Sequence, residues 1–188
     1  MKIVAGKFKN KNIKFISDEL TRPTAEIVRQ ALFTKLQFNF PLNKCLDLFA
    51  GSGSLGLEAL SRGAQHVYFV ENNKRNFDIV KENLQNFGVK FELNSFYTNN
   101  DVSLIRSDAI VALERFEQKF DLILIDPPYK SEYYEKALEV IFKNNLLADD
   151  GIIVMEHDKD RTIETNKFEI ISQKNYGRRN LTYLTNKN

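Results

Sequence analysis

Leu46-Asp47-Leu48-Phe49-Ala50-Gly51-Ser52-Gly53-Ser54-Leu55-Gly56 carries an apolar run into a glycine-rich turn and out into an amphipathic segment. Glycines at 51, 53 and 56 permit a tight turn, close approach of backbone to a ligand, and close packing of the following helix. The free amides at the helix start then face the ligand. Outward from this stretch the same alternation repeats. Cys45–Phe49 reads as a strand, Leu55–Arg62 as a helix closed by Gly63, Val67–Val70 as a second strand, and Lys74–Phe87 as a helix capped at Gly88. Val89–Asp101 is polar and irregular, and the third strand is expected at Val102–Arg106. Phe120–Ile125 is the fourth strand, Glu132–Lys143 a helix, and Ile152–Glu156 the fifth strand. Short apolar strands alternating with amphipathic helices predict an α/β chain, with a mostly parallel sheet flanked by helices. Phe168–Ser172 and Leu181–Leu184, joined around Tyr176-Gly177, read as a late hairpin.

The 188 residues, 43% hydrophobic, suit a single domain spanning 1–188. Within it, 1–40 is expected to form a basic hairpin and a helix packed on the main body. Lys2–Ile16 alternates apolar and basic residues around Asn10-Lys11-Asn12. Thr24 can cap a helix to Phe38 with Ile27, Val28, Ala31, Leu32 and Leu36 on one face. The single cysteine, Cys45, excludes an internal disulfide and fits a reducing compartment, so the expected location is the cytoplasm. The N-terminal stretch has no long apolar segment, hence neither a signal peptide nor a membrane span is expected. No obvious apolar stripe suggests a dimer, and a monomer is expected.

The net charge of +2 is unevenly distributed. Residues 1–17 hold five lysines and no acid, residues 170–188 hold Lys174, Arg178, Arg179 and Lys187 and no acid, and the remainder is therefore net −7. Basic ends on an acidic body predict a surface that neutralises phosphates, with Lys7, Lys9, Lys11, Arg178 and Arg179 as the nucleic-acid contacts.

Two constellations carry chemistry. Twenty positions after Gly51, Glu71 ends the second strand, where a carboxylate can accept hydrogen bonds from both hydroxyls of a ribose. The glycine spacing alone would also serve a dinucleotide. Asp47, at the strand end before the turn, would repel a pyrophosphate and attract the ammonium and sulfonium of S-adenosylmethionine. Phe49, Ser52 and Asn72 flank these positions, and Asp108-Ala109 offers a polar position for an adenine amino group, or a helix cap. Further on, Ile125-Asp126-Pro127-Pro128-Tyr129 follows a buried strand, and the two prolines hold it in an extended turn. The Asp126 carboxylate and the Pro127 carbonyl can accept both hydrogens of a planar amino group, while Tyr129 offers a ring for base stacking. An exocyclic base amine held in this way is oriented for in-line methyl transfer without a metal. His66 and His157 have no metal-ligating partners in the pattern, so a surface or sheet-edge role is expected of each. There is no serine elbow, Walker lysine or zinc spacing.

On these residues the chain resembles the bacterial 16S ribosomal RNA guanine-N2 methyltransferases of the small subunit over nearly its whole length. The resemblance rests on Arg22-Pro23-Thr24, Arg29, Leu32-Phe33, the glycine-loop run, Leu55-Gly56-Leu57-Glu58-Ala59-Leu60-Ser61-Arg62-Gly63-Ala64 and Asp126-Pro127-Pro128-Tyr129. Lys174, Tyr176 and Gly177 also match its C-terminal pattern. The resemblance implies a Rossmann-like class I methyltransferase fold with a seven-stranded sheet and S-adenosylmethionine as cofactor. It also implies that Arg22 and Thr24 line the cofactor pocket, and that 16S rRNA in a small subunit or assembly intermediate is the partner. Phe91–Asp101 departs from the family by its length and asparagine content. The competing readings are an adenine-N6 methyltransferase on DNA or RNA, which a chain this short leaves little room to guide by sequence, and a non-catalytic RNA-binding assembly factor.

Overall fold

The computed structural model describes residues 1–16, 23–97, 100–127 and 132–187, the side chains of 23–25 excepted. Its helices are α1 (Pro23–Lys35), α2 (Ser54–Arg62), α3 (Lys74–Asn86), α4 (Ala109–Arg115) and α5 (Tyr133–Lys143). The strands are β1 (Lys44–Asp47), β2 (His66–Val70), β3 (Phe91–Leu93), β4 (Val102–Ile105), β5 (Phe120–Ile125), β6 (Leu147–Asp158), β7 (Phe168–Tyr176) and β8 (Arg179–Asn186). They form one sheet in the order β3-β4-β2-β1-β5-β6-β8-β7. The first six positions in that order pair in parallel, while β8 runs antiparallel to both β6 and β7. Central strands buried on both faces explain why Cys45-Leu46 and Leu122–Ile125 read as unbroken hydrophobic runs rather than alternating ones.

Helices cover both faces of the sheet. Val28, Leu32 and Phe33 of α1, Leu57 and Leu60 of α2, and Val80 and Leu84 of α3 fill one core. Ala112 and Leu113 of α4 and Leu138 and Ile141 of α5 fill the other. Among the described residues no helix is long and apolar enough to cross a membrane. The helix ends obey local chemistry. Asn73 caps α3 by accepting from the Arg75 and Asn76 amides, and Gly63, at φ 112°, closes α2 in a conformation that a side chain would strain.

Among the described residues the sheet has eight strands, one more than expected. The extra strand, β3, comes from the polar Val89–Asp101 segment, where Phe91, Glu92 and Leu93 pair with Val102, Ser103 and Leu104 of β4. Three residues are too few for alternation to announce a strand. Helix α4 starts at the cap that was one of two readings of Asp108, β1 stops at Asp47 because Leu48 already enters the glycine turn, and α1 stops at Lys35 with a 3-10 turn at Gln37–Asn39. The N-terminal hairpin is a loop with one antiparallel bridge, Lys2 to Asn12, rather than two strands. His157 is buried inside the sheet, 2% exposed, between Thr182 Oγ1 and its neighbour's carbonyl.

Side chains of the helix layer hold the N-terminal loop in place of a ladder. Glu58 of α2, fully buried, accepts from the Val4 and Ala5 amides at 2.9 and 3.1 Å and from Arg62 Nε at 2.8 Å. Arg29 of α1 donates to the Lys2 carbonyl at 2.6 Å. Asn83 of α3 takes the Lys14 amide and donates to both the Lys14 carbonyl and the Ser52 carbonyl, so one buried amide joins the N-terminal arm to the glycine turn. Removing a buried carboxylate leaves its donors unpartnered. Glu58→Ala should therefore lower unfolding stability by about 3 kcal/mol in urea titration and expose the Val4 and Ala5 amides to hydrogen exchange. Unchanged stability would mean the loop is held by its apolar contacts alone.

Candidate active site

The parallel strands place their carboxyl ends along one edge of the sheet, and acidic residues stand at three adjacent ends. Asp47 terminates β1, Glu71 follows β2 and Asp126 follows β5, with β1 paired to both neighbours. Asp47 is 2% exposed and accepts the Gly56 amide at 2.9 Å, which anchors the first turn of α2. Glu71 spreads its two oxygens between the Gly51 amide at 2.8 Å and the Asn73 amide at 2.7 Å. The glycine turn is thereby held from both sides by carboxylates. Gly51 and Gly53 adopt positive φ, 53° and 79°. A Cβ at Gly56 would lie 2.3 Å from the Phe69 ring, so that glycine is required by helix-to-strand packing.

Burial, opposed by the Gly56 hydrogen bond and reinforced by the charges of Asp126 and Glu71, raises the Asp47 carboxyl to about 7. Three carboxyl groups thus stand close enough at this edge for their charges to act on one another.

The other expected residues take these places. Phe49 is half-buried and meets the Tyr133 ring edge-on at 5.3 Å, while Ser52 and Ala109 are buried and Asn72 is exposed. Asp108 caps α4, accepting from the Ile110 and Val111 amides, and its second oxygen accepts the Tyr133 hydroxyl at 2.7 Å. Pro127 is buried beside the half-buried Asp126. Arg22 and Tyr129 lie outside the described residues, as do Thr24's side chain and Pro128.

The two basic ends are not brought together. The Lys7 amide bonds to the Ser61 carbonyl and Lys11 Nζ lies 3.3 Å from the Phe87 carbonyl, at the last turns of α2 and α3. Both helices run away from the glycine edge, so Lys7, Lys9 and Lys11, all exposed, sit at the opposite, amino edge. By contrast, Asp158 pairs with Arg179 in the β6–β8 ladder, which puts the Gly177-Arg178 turn at the carboxyl edge. Arg178 is exposed there, while Arg179 is 16% exposed and committed to Asp158 at 3.4 Å and Glu156 at 3.6 Å. The single basic surface expected from composition is two separate patches, because the N-terminal arm crosses the helix layer.

Glu156 and Tyr134 also stand at this edge and were not singled out from sequence. The Tyr134 hydroxyl donates to the Glu156 carbonyl at 2.6 Å. A carboxylate ending the strand next to Asp126 was the available signal for Glu156.

This sheet order and acidic carboxyl edge define a methyltransferase of the Rossmann-like class I kind. The chain belongs to the family described as "Conserved hypothetical protein 95", whose profile matches residues 1–185. Among its relatives, a Bacillus subtilis protein provisionally named as the rRNA methyltransferase YlbH is 35% identical over 163 residues, covering 85% of this chain and 84% of its own. "Ribosomal RNA small subunit methyltransferase D" of Haemophilus influenzae is 30% identical over 178 residues, covering 94% and 89%. A solved Escherichia coli protein, provisionally described as a methyltransferase, superposes with a TM-score of 0.83 over 100% of this chain and 98% of its own; at 24% identity this is a likeness of fold.

A carboxyl whose folded value is raised above its ordinary 3.8 contributes stability that is complete below that value and is lost as pH rises through about 7. Asp47→Asn should therefore be more stable than the wild type at about pH 8, on the order of 2–4 kcal/mol, with the difference vanishing toward about pH 4. Urea titrations across that range check it; a variant less stable at pH 8 would mean that Asp47 is not a strained buried charge.

Proposed function

We propose that the chain transfers a methyl group from S-adenosylmethionine to the exocyclic N2 of a guanine in 16S ribosomal RNA. The observation that carries the reading is the placement of Asp47, Glu71 and Asp126 at three adjacent strand ends around a glycine turn. The donor set fits this cofactor. Asp47, a buried carboxylate in excess, suits the cationic amino-acid end, Glu71 suits the ribose hydroxyls, and the turn bounded by Gly51 and Gly53 admits close approach of the ligand. In this reading Phe49, Ser52, Asn72, Asp108 and Ala109 line the remainder of that pocket, and Arg22 and Thr24 are further cofactor contacts. Asp108 serves there chiefly as the cap of α4, which holds Tyr133 against Phe49.

S-adenosylmethionine, when bound, supplies a methyl group on a sulfonium. The chain's own contribution is to hold the acceptor. Asp126 and the Pro127 carbonyl accept the two N2 hydrogens, and Tyr129 stacks on the base. The nitrogen lone pair, delocalised into the ring in the free base, is thereby turned toward the methyl carbon. Transfer of that methyl to N2, with the C–S bonding pair left on sulfur, would place positive charge on the nitrogen. The Asp126 carboxylate stabilises that charge and takes the departing proton. Arg178, exposed beside this edge, takes a phosphate near the target base, and Lys7, Lys9 and Lys11 take phosphates at the far edge of the domain. The reading includes a single-domain monomer working in the cytoplasm on the small subunit or an assembly intermediate. The names of the Bacillus subtilis and Haemophilus influenzae relatives support the rRNA acceptor.

The test is transfer of labelled methyl from S-adenosylmethionine to unmodified small ribosomal subunits, followed by nucleoside analysis. The expected product is N2-methylguanosine, and label in N6-methyladenosine would instead assign the chain to adenine. Asp126→Ala should abolish transfer while leaving cofactor affinity within a few-fold, and a wild-type rate would refute the site. Replacing Lys7, Lys9 and Lys11 with glutamine should weaken RNA binding and reduce its salt dependence by up to about three unit charges' worth of slope; an unchanged slope would leave the far patch without a role.

A further inference from the structure

The first turn of α5 opens with two tyrosines that reach in opposite directions. In the sheet β5 lies between β1 and β6, and the chain that leaves it at Asp126-Pro127 enters α5 at Tyr133, six residues after Pro127. The Tyr134 hydroxyl donates to the Glu156 carbonyl of β6 at 2.6 Å, and its ring is buried. Tyr133 reaches the other way. Its ring meets Phe49, two residues past the end of β1, edge-on at 5.3 Å, and its hydroxyl donates to Asp108 Oδ2 at 2.7 Å. Glu132, at the N-cap of α5, makes no side-chain capping bond, so the position of this turn rests on contacts of its tyrosines rather than on a cap.

Both partners of Tyr133 are themselves fixed. Asp108 Oδ1 accepts the Ile110 and Val111 amides at 2.9 and 3.3 Å, so the carboxylate cannot turn away from Tyr133 without uncapping α4. A hydrogen bond to a carboxylate is among the stronger kinds, and this one holds the Tyr133 phenol above its ordinary 10, which keeps it a donor at neutral pH. Phe49 lies in the chain between Asp47, which accepts the Gly56 amide, and Gly51, whose amide is bonded to Glu71. Tyr133 therefore joins the glycine turn, the cap of α4 and the start of α5.

We propose that Tyr133 is a positioning residue that couples the two halves of the site: it ties the first turn of α5 to the wall of the cofactor pocket, so that bound cofactor strengthens binding of the acceptor. The proposal rests on the reading that Phe49 and Asp108 stand at the cofactor and Asp126-Pro127 at the acceptor. A short connection is placed by its two ends, and ordering them costs conformational entropy. Cofactor restrains Phe49 and Asp108, and Tyr133, joined to both, is restrained with them. The acceptor then meets a start of α5 that is already ordered, and binds at a smaller entropic cost. The effect is reciprocal, since bound acceptor raises cofactor affinity by the same factor. Nothing in the role requires Tyr133 to touch either ligand.

Two measurements on the full chain test this, with S-adenosylhomocysteine, the cofactor without its methyl, as the probe. In hydrogen exchange, saturating probe should slow the α5 amides of residues 136–139 about tenfold in the wild type. In Tyr133→Phe, which keeps the ring against Phe49 and loses the bond to Asp108, the slowing should be less than about twofold. A wild type that binds the probe while these amides exchange at an unchanged rate overturns the proposal and leaves the functional reading standing. A wild type that does not bind it removes both. The second measurement is the affinity for unmodified small ribosomal subunits without and with the probe. The probe should tighten binding about tenfold in the wild type and less than about twofold in Tyr133→Phe. A residue that only supports the fold would weaken both affinities and leave their ratio unchanged, and that result overturns the proposal. If Tyr133→Phe does not fold, the wild type decides: unchanged exchange in α5, or a ratio of one, overturns it.

Discussion

The structure depends on one electrostatic constraint: like-charged carboxylates from adjacent strands converge on the same edge of a parallel sheet. Parallel order alone brings them together, because each of β1, β2 and β5 ends where its neighbours end. The molecule partly offsets their repulsion with backbone donors. Gly51 and Asn73 give their amides to Glu71, and Gly56 gives its amide to Asp47. Those bonds also shape the glycine turn, so the same groups that crowd the charge build the pocket wall. Repulsion of this kind is what a bound cation would relieve, which supports the proposal that this edge holds the cofactor.

The N-terminal arm follows from the need to keep that turn still. Asn83 reaches the Ser52 carbonyl on one side and Lys14 on the other, and Glu58 fixes the arm's first amides. The arm therefore braces the helix layer that carries the glycine turn, and its lysines end up at the amino edge. At the carboxyl edge the late β-hairpin supplies the positive charge instead. Arg178 faces solvent, and Arg179 is drawn to Asp158 and Glu156. Adjacent arginines thus do different work, since Arg178 lies in the turn while Arg179 begins β8 and is held opposite Asp158 in the ladder.

Much of the site was legible because it is local. A glycine turn, the acid before it and the acid after the next strand are readable from spacing alone, and Asp126-Pro127 announces where β5 must stop. Four things were not legible, each for a physical reason. Strand β3 is three residues long and owes its existence to pairing with β4, which no local pattern reveals. The separation of the basic ends depends on which way the N-terminal arm crosses α2 and α3. Glu58 looks like a surface charge in an i, i+4 pair with Arg62, yet it is fully buried, because the arm lies over it. Glu156 was placed at a strand end from sequence, and only the β5–β6 register makes it a neighbour of Asp126. Asp108 carried two readings, cofactor contact and helix cap, and the cap is in place.

The central claim is that Asp47 meets the cationic end of the cofactor, and the direct measurement is calorimetric titration of the protein with S-adenosylmethionine between about pH 5.5 and 8.5, in buffers of differing ionisation enthalpy. A cation that binds the ionised form must displace the proton that Asp47 holds below about 7. The account predicts affinity rising with pH, by up to about tenfold per unit, and levelling above 7, with release of about one proton on the acid side and none at the alkaline end. In Asp47→Asn both the affinity and the proton release should fall away. Affinity independent of pH, with no proton released and the asparagine variant binding as tightly as wild type, would contradict it.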